Sequence, residues 1–172
     1  MRKMMAMACM AAVLTYGTGC TTIAKRAMKE AKGASSDAEA VPGAGGGSFA
    51  RFNGVDIQPP RTNLGGLVST EYRAELTRAL REQLVTEDDA PFKGSSPRLT
   101  IDPEILWYYR GGSIMPEKFA VVLFWLKDGG ADVGRVQIVT KSEATGTGDN
   151  DMAENMAKEL VSYFEDHGKK TD

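Results

Sequence analysis

Residues 118–127, KFAVVLFWLK, constrain the fold of this chain more than any other stretch. Positions 119–126 are apolar without a break, at both parities of a strand. Eight residues are too few to cross a bilayer, which takes about 20. Such a run instead marks a strand covered on both faces or lying centrally in its sheet. Asp128-Gly129-Gly130-Ala131-Asp132 follows as a hairpin connection, because glycine supplies the positive φ that tight turns need. Residues 133–141 then return, with Val136 and Ile138 among their apolar positions. Upstream, residues 97–110 read PRLTIDPEILWYYR and are also strand-like. Pro103 cannot donate to a ladder, so a bulge or an edge position is expected there. Three consecutive strands suit an antiparallel meander.

Two helices accompany the meander. Ser69 or Thr70 offers an N-cap, with Glu71 in the first turn. The next fifteen residues place Tyr72, Leu76, Ala79, Leu80 and Leu84 on one face, and Arg73, Glu75, Arg78, Arg81 and Glu82 mostly on the other. Near the C terminus, Asp149, Asn150 or Asp151 can cap a helix whose apolar face is Ala153, Met156, Ala157, Leu160, Val161 and Phe164. Residues 49–57 read as a first strand that Pro59-Pro60 ends. The order is β-α-β-β-β-α. The expected fold class is α+β, a two-layer sandwich with a mostly antiparallel sheet and two helices on one face, leaving the other face less covered.

The N terminus reads as an address. Arg2 and Lys3 form a basic n-region, residues 4–16 an apolar stretch, and Gly17-Thr18-Gly19 precede Cys20. This looks like a bacterial lipoprotein signal, in which a small residue precedes a cysteine that is acylated and becomes the first mature residue; ordinary secretory cleavage nearby is the alternative. Gly17 stands where such signals usually carry Leu. Cys20 is the expected lipidation site, because Cys9 lies within the leader. Acyl chains bind membranes by about 0.8 kcal/mol per buried methylene, so two or three hold a protein almost permanently. Without residues 1–19 the chain keeps 19 basic and 23 acidic residues, a net charge of −4, and no disulfide is possible once Cys20 is acylated. Thr21, in place of Asp, favours the outer membrane by resemblance to Gram-negative lipoproteins.

The expected domain plan is a signal peptide at 1–19, a lipid-anchored flexible tether at 20–47, one α+β domain at 48–167 and a disordered tail at 168–172. Residues 22–32 carry Lys25, Arg26, Lys29 and Lys32 against Glu30, and read as a frayed helix or as a short helix on an anionic leaflet. Residues 33–48, GASSDAEAVPGAGGGS, are rich in Gly, Ala and Ser and read as a linker, so the domain is expected to stand on the order of 30 Å off the bilayer.

Candidate chemistry is sparse. The composition, 42% hydrophobic and 26% charged with two cysteines, fits one soluble domain and excludes a disulfide scaffold or a disordered tail protein. A net charge of −2 gives no basic field, so no nucleic-acid partner is expected. His167 falls in the last helical turn, where its charge suits the helix dipole. Asp149, Asn150, Asp151 and Glu154 lack the spacing of a calcium loop and suit a helix start. Asp128 and Asp132 flank a turn rather than a metal. Asp102 and Glu104 flank Pro103, so strand irregularity outweighs a hydrolytic carboxylate pair. No cofactor, no metal and no enzyme activity is expected. One set suits recognition: Trp107, Tyr109 and Trp125 on a common sheet face, Tyr108 opposite and Arg110 beside them. Aromatic and arginine side chains are enriched at interface hot spots. Simple core and edge packing is the competing explanation for the same residues.

The leader, the Gly-rich segment, PRLTIDPEILWYYRGG, VVLFWLKDGGADVGR and the closing amphipathic helix together resemble small bacterial envelope lipoproteins of a domain family without an assigned function. Their α+β architecture is like that of lipoprotein helpers in outer-membrane assembly and transport. The resemblance implies a lipid-anchored protein on the periplasmic face of the outer membrane, a non-enzymatic accessory subunit that binds an envelope protein. A periplasmic module binding a glycan or lipid on its aromatic face is the alternative.

Overall fold

The long apolar run forms the third of five strands across a sheet. The computed structural model describes residues 33–42, 48–112, 117–142 and 146–169. Its strands are β1 (Ala34–Ala40), β2 (Gly54–Ile57), β3 (Arg61–Thr62), β4 (Arg98–Tyr109), β5 (Phe119–Asp128) and β6 (Ala131–Ser142), and its helices are α1 (Thr70–Arg81) and α2 (Asp149–Asp166). The order across the sheet is β1-β6-β5-β4-β2, with the two-residue β3 also paired to β4. β1, β6, β5 and β4 pair antiparallel, whereas β2 and β3 lie parallel to β4. The result is the expected α+β sandwich with a mostly antiparallel sheet.

The core follows the expected faces. On β5, Ala120, Val122, Phe124 and Leu126 are fully buried beneath the helices. They share one core cluster with Tyr72, Leu76, Ala79 and Leu80 of the first helix, Leu84 of the π-helical turn that continues it (Glu82–Thr86), and Met156, Ala157, Leu160 and Phe164 of the second. Each such aliphatic or aromatic side chain contributes about 1.5–3 kcal/mol by leaving water. Ser69 is the cap of α1, its hydroxyl accepting the Tyr72 N–H at 3.0 Å. Gly129 and Gly130 turn the β5–β6 hairpin at φ +56° and +93°, conformations that side-chain-bearing residues rarely adopt.

Three expectations are corrected. Residues 34–40 are not free linker. They form β1, in register from Ala34 opposite Ser142 to Ala40 opposite Val136, so the compact unit begins at Gly33 rather than 48. The composition ASSDAEA carries little strand propensity, but it satisfies the edge of β6 and fits closely. Ala34 is buried, and the Ser36 and Thr140 hydroxyls share a hydrogen bond of 2.8 Å that satisfies the fully buried Thr140. Second, only the end of 49–57 is a strand. Phe49–Arg51 is a 3₁₀ turn, because Phe49 is driven under α2, edge-on to Phe164 at 5.2 Å. Third, the bulge expected at Pro103 lies at Leu106, between Ile105 and Trp107. Pro103 keeps its register opposite Phe124 and falls where β4 passes from β2 to β3, opposite Pro59-Pro60. A missing N–H costs no ladder bond where the neighbour is broken too. Cys20 and the expected leader lie outside the described residues.

Candidate functional site

The sheet face turned away from the helices carries Trp107, Tyr109 and Trp125, the residues expected to suit recognition. Alternation along the strands assigns this face. On β5 it holds Phe119, Val121, Leu123 and Trp125, all half-buried, between fully buried neighbours. Registers extend it sideways. One row runs Ser35, Lys141, Phe119, Tyr109, and the next runs Asp37, Val139, Val121, Trp107. Here the bulge matters. By inserting Leu106 it keeps Tyr108 on the helix side with Ile105 and turns Trp107 and Tyr109 outward. Trp107 is 55% exposed and Leu106 39%.

Trp107, Tyr109 and Trp125 therefore share one face, as the sequence suggested, but they do not form one platform. Trp107 is opposite Val121, and Trp125 lies four residues further along β5, about 13 Å away. Trp125 is already engaged. Its indole N–H donates to Glu104 Oε2 at 3.0 Å, and the Arg135 guanidinium sits 4.0 Å over its ring. Around it, Arg61 bridges Asp102 at 3.2 Å and Glu104 at 2.8 Å, while Lys127 reaches Asp102 at 2.8 Å. Burial works against the Asp102 carboxylate, but its bonds from Lys127 and Arg61 outweigh burial and hold its pKa below the ordinary value. Asp102 is thus an ionised structural partner, unsuited to be a general acid. The open face has two halves, one ion-paired around Trp125 and one aromatic and aliphatic around Trp107.

Arg110 sits elsewhere than expected. It is exposed where β4 ends, and it lines a cleft of about 350 Å³ with Glu71, Glu75, Lys118, Asp149 and Asn150. The cleft is bounded by a network that ties together the starts of both helices. Asp149 accepts from the Tyr108 hydroxyl at 2.8 Å, from the Ser69 hydroxyl at 3.2 Å and from Lys118 Nζ at 3.0 Å. Burial opposes its ionisation, but the bonds from Tyr108 and Lys118 prevail, and the Asp149 pKa falls below its ordinary value. Tyr108 is pushed up to about 12, by burial first and then by its bond to this carboxylate. The acid expected as a helix cap thus serves as the hub of a buried junction, while Asp151 reaches back to the Gly148 N–H at 2.8 Å. His167 is where it was expected, at the end of α2, its ring stacked on Tyr163 at 4.1 Å.

Comparison with known proteins places the fold. The sequence matches no family model and no curated protein. Among solved structures it is similar to the PelC dodecamer of Paraburkholderia phytofirmans. That likeness covers 78% of this chain and 99% of that one, at 15% identity and a TM-score of 0.51. A single-residue variant of PelC in another crystal form gives the same coverage and identity with a TM-score of 0.49. At this identity the likeness is one of fold.

Among the described residues no helix is long and apolar enough to cross a membrane, and no group of three or more His, Cys, Asp or Glu side chains gathers as a metal site. Pattern reading missed Phe119, Val121, Val139 and Lys141 as members of the open face. The signal was present in the odd positions of β5 and β6, once the even positions are assigned to the helices.

Proposed function

We propose that this chain is a non-enzymatic periplasmic lipoprotein, held at the outer membrane by acylated Cys20, and that it serves as an accessory subunit of an envelope assembly or transport system. The observation that carries the proposal is the sheet face turned away from the helices, which no element among the described residues covers. Four strands wide, it presents a half-buried aliphatic and aromatic area beside an ion-paired area, the mixture found at protein interfaces. β1 adds a sheet edge whose outer side has no strand partner among the described residues, and such an edge accepts an added strand. The leader and Cys20 support the anchor. PelC, which shares the fold, is a dodecamer, so a second copy of this chain is among the partners proposed; sedimentation of the purified chain checks that point.

The glycan-binding alternative is weakened at one of its two indoles, because the Trp125 ring is covered by Arg135. A photo-crosslinking side chain placed in living cells at Gln137, on the open face, or at Glu39, on the β1 edge, tests the proposal. A discrete protein adduct from these positions, absent when the same group replaces Lys158 on α2, supports it. Equal labelling from all three positions, or none, overturns it.

A further inference from the structure

The end of the sheet that carries the aromatic half of the open face is also the end at which the chain enters the fold. Gly33 opens the compact unit. Its carbonyl accepts a hydrogen bond from Thr147, and a Cβ built on it would stand 3.6 Å from the Asp151 side chain, at the start of α2. Ala34 is opposite Ser142, and the adjacent row holds Lys141, Phe119 and Tyr109. Entry point, helix starts and aromatic row therefore lie together. Three of the four large hydrophobic side chains exposed among the described residues belong to the same end of β4: Leu106, Trp107 and Leu67. Leu67 is in the loop between Thr62, which donates to the Ile105 carbonyl, and Ser69, bonded to Asp149.

We propose that this end is a membrane-seating surface, with Trp107, Leu106 and Leu67 entering the interfacial zone of the lipid leaflet and Tyr109, Phe119 and Lys141 at its margin. The inference rests on the Cys20 anchor proposed above and names what the aromatic half of the open face meets. Chain length supports it. With β1 part of the fold, only residues 21–32 separate Cys20 from Gly33. Twelve residues span about 20 Å as a random coil and at most about 45 Å at full extension. A unit of this size is about 35 Å across, so the entry end stays close to the bilayer while the opposite end is held off. The chemistry agrees: Trp and Tyr partition to the headgroup level, with an apolar body in the acyl boundary and a polar edge in water, and lysine snorkels outward beside them. The ion-paired half around Trp125 lies toward the other end of the same strands and is left for a protein partner.

The test uses chain 20–172, which holds every described residue and has Cys20 as its single cysteine. Cys20 is coupled to a maleimide phospholipid in vesicles of phosphatidylethanolamine and phosphatidylglycerol, with or without acyl-dibrominated phosphatidylcholine. Tryptophan emission is compared for the unsubstituted chain and Trp107→Phe, an exposed change that leaves the core alone. The expected result is that brominated lipid quenches the unsubstituted chain by a third to a half, about the share of one of two indoles, and leaves Trp107→Phe unquenched. Two results overturn the proposal: no quenching of either protein, which gives the aromatic half to a protein partner instead, or equal quenching of both, which puts Trp125 in the bilayer. Because the coupling supplies the anchor chemically, the outcome is independent of whether cells acylate Cys20. That question is answered separately by the mass of the native N terminus.

Discussion

Replacing Asp149 with Ala removes the acceptor of three hydrogen bonds, and the structure sets how much that costs. A bond to a charged group contributes about 1.5–3 kcal/mol, more when the partner left behind is buried. Lys118 is about a quarter exposed and turns to water, and Ser69 keeps the Tyr72 N–H, so those two losses are small. Tyr108, 6% exposed and stacked on Tyr72 at 4.6 Å, has its hydroxyl fixed against the vacated site. The expected cost is about 2–3 kcal/mol. Unfolding entropy near 2.1 cal/mol/K per residue makes that a fall in Tm of about 7–10 °C for a unit this size. Tyr108→Phe keeps the ring and is expected to cost about 1.5 kcal/mol, and the double variant to cost about 1 kcal/mol less than the sum of the singles. Thermal and urea unfolding of the four proteins measure the cycle. Costs additive within about 0.3 kcal/mol would refute the idea that the two side chains act as one junction. The pH dependence has a defined sign. Asp149 titrates below its unfolded value of 3.8, so its stabilisation is fully present above that value and is lost as pH falls through the lower native one. The Tm gap between Asp149→Ala and the unsubstituted chain therefore holds from pH 7 to 5 and closes in stronger acid.

Other expectations follow from β1, the core and the open face. A chain beginning at residue 48 lacks β1 and exposes the edge of β6, so size-exclusion chromatography is expected to show aggregation and a lower Tm than for a chain beginning at 33; identical behaviour would return 34–40 to the status of linker. Ser36→Ala leaves the buried Thr140 hydroxyl without its partner and is expected to cost about 1 kcal/mol in urea unfolding. Leu76→Ala, at a fully buried site, is expected to cost about 2–5 kcal/mol, whereas Trp107→Ala, at an exposed one, stays within about 0.5 kcal/mol of the unsubstituted chain.

The helices and the central meander were legible because their signals are periodic and long: α2 buries Ala153, Met156, Ala157, Leu160 and Phe164 as the spacing required. The hairpin was legible in two adjacent glycines. β1 was not, because a strand of Ala, Ser, Asp and Glu owes its place to a neighbour about 100 residues away, and no local pattern encodes that partner. Trp107, Tyr109 and Trp125 were read onto one face, yet their separation was hidden, since it depends on a register between β4 and β5 and on a bulge at Leu106 where Pro103 was the visible irregularity. The Asp149 junction was hidden for the same reason: capping geometry is local, whereas Ser69, Tyr108 and Lys118 converge only in three dimensions.

The anchor remains the claim on which localisation and role both depend, and intact mass of the N-terminal peptide from protein extracted out of native membranes tests it most directly. The expected peptide begins at Cys20 and carries the mass of its acyl chains, and Cys20→Ala leaves the protein unacylated. A mature chain that starts at another residue, or an unmodified Cys20 behind an intact leader, would contradict it.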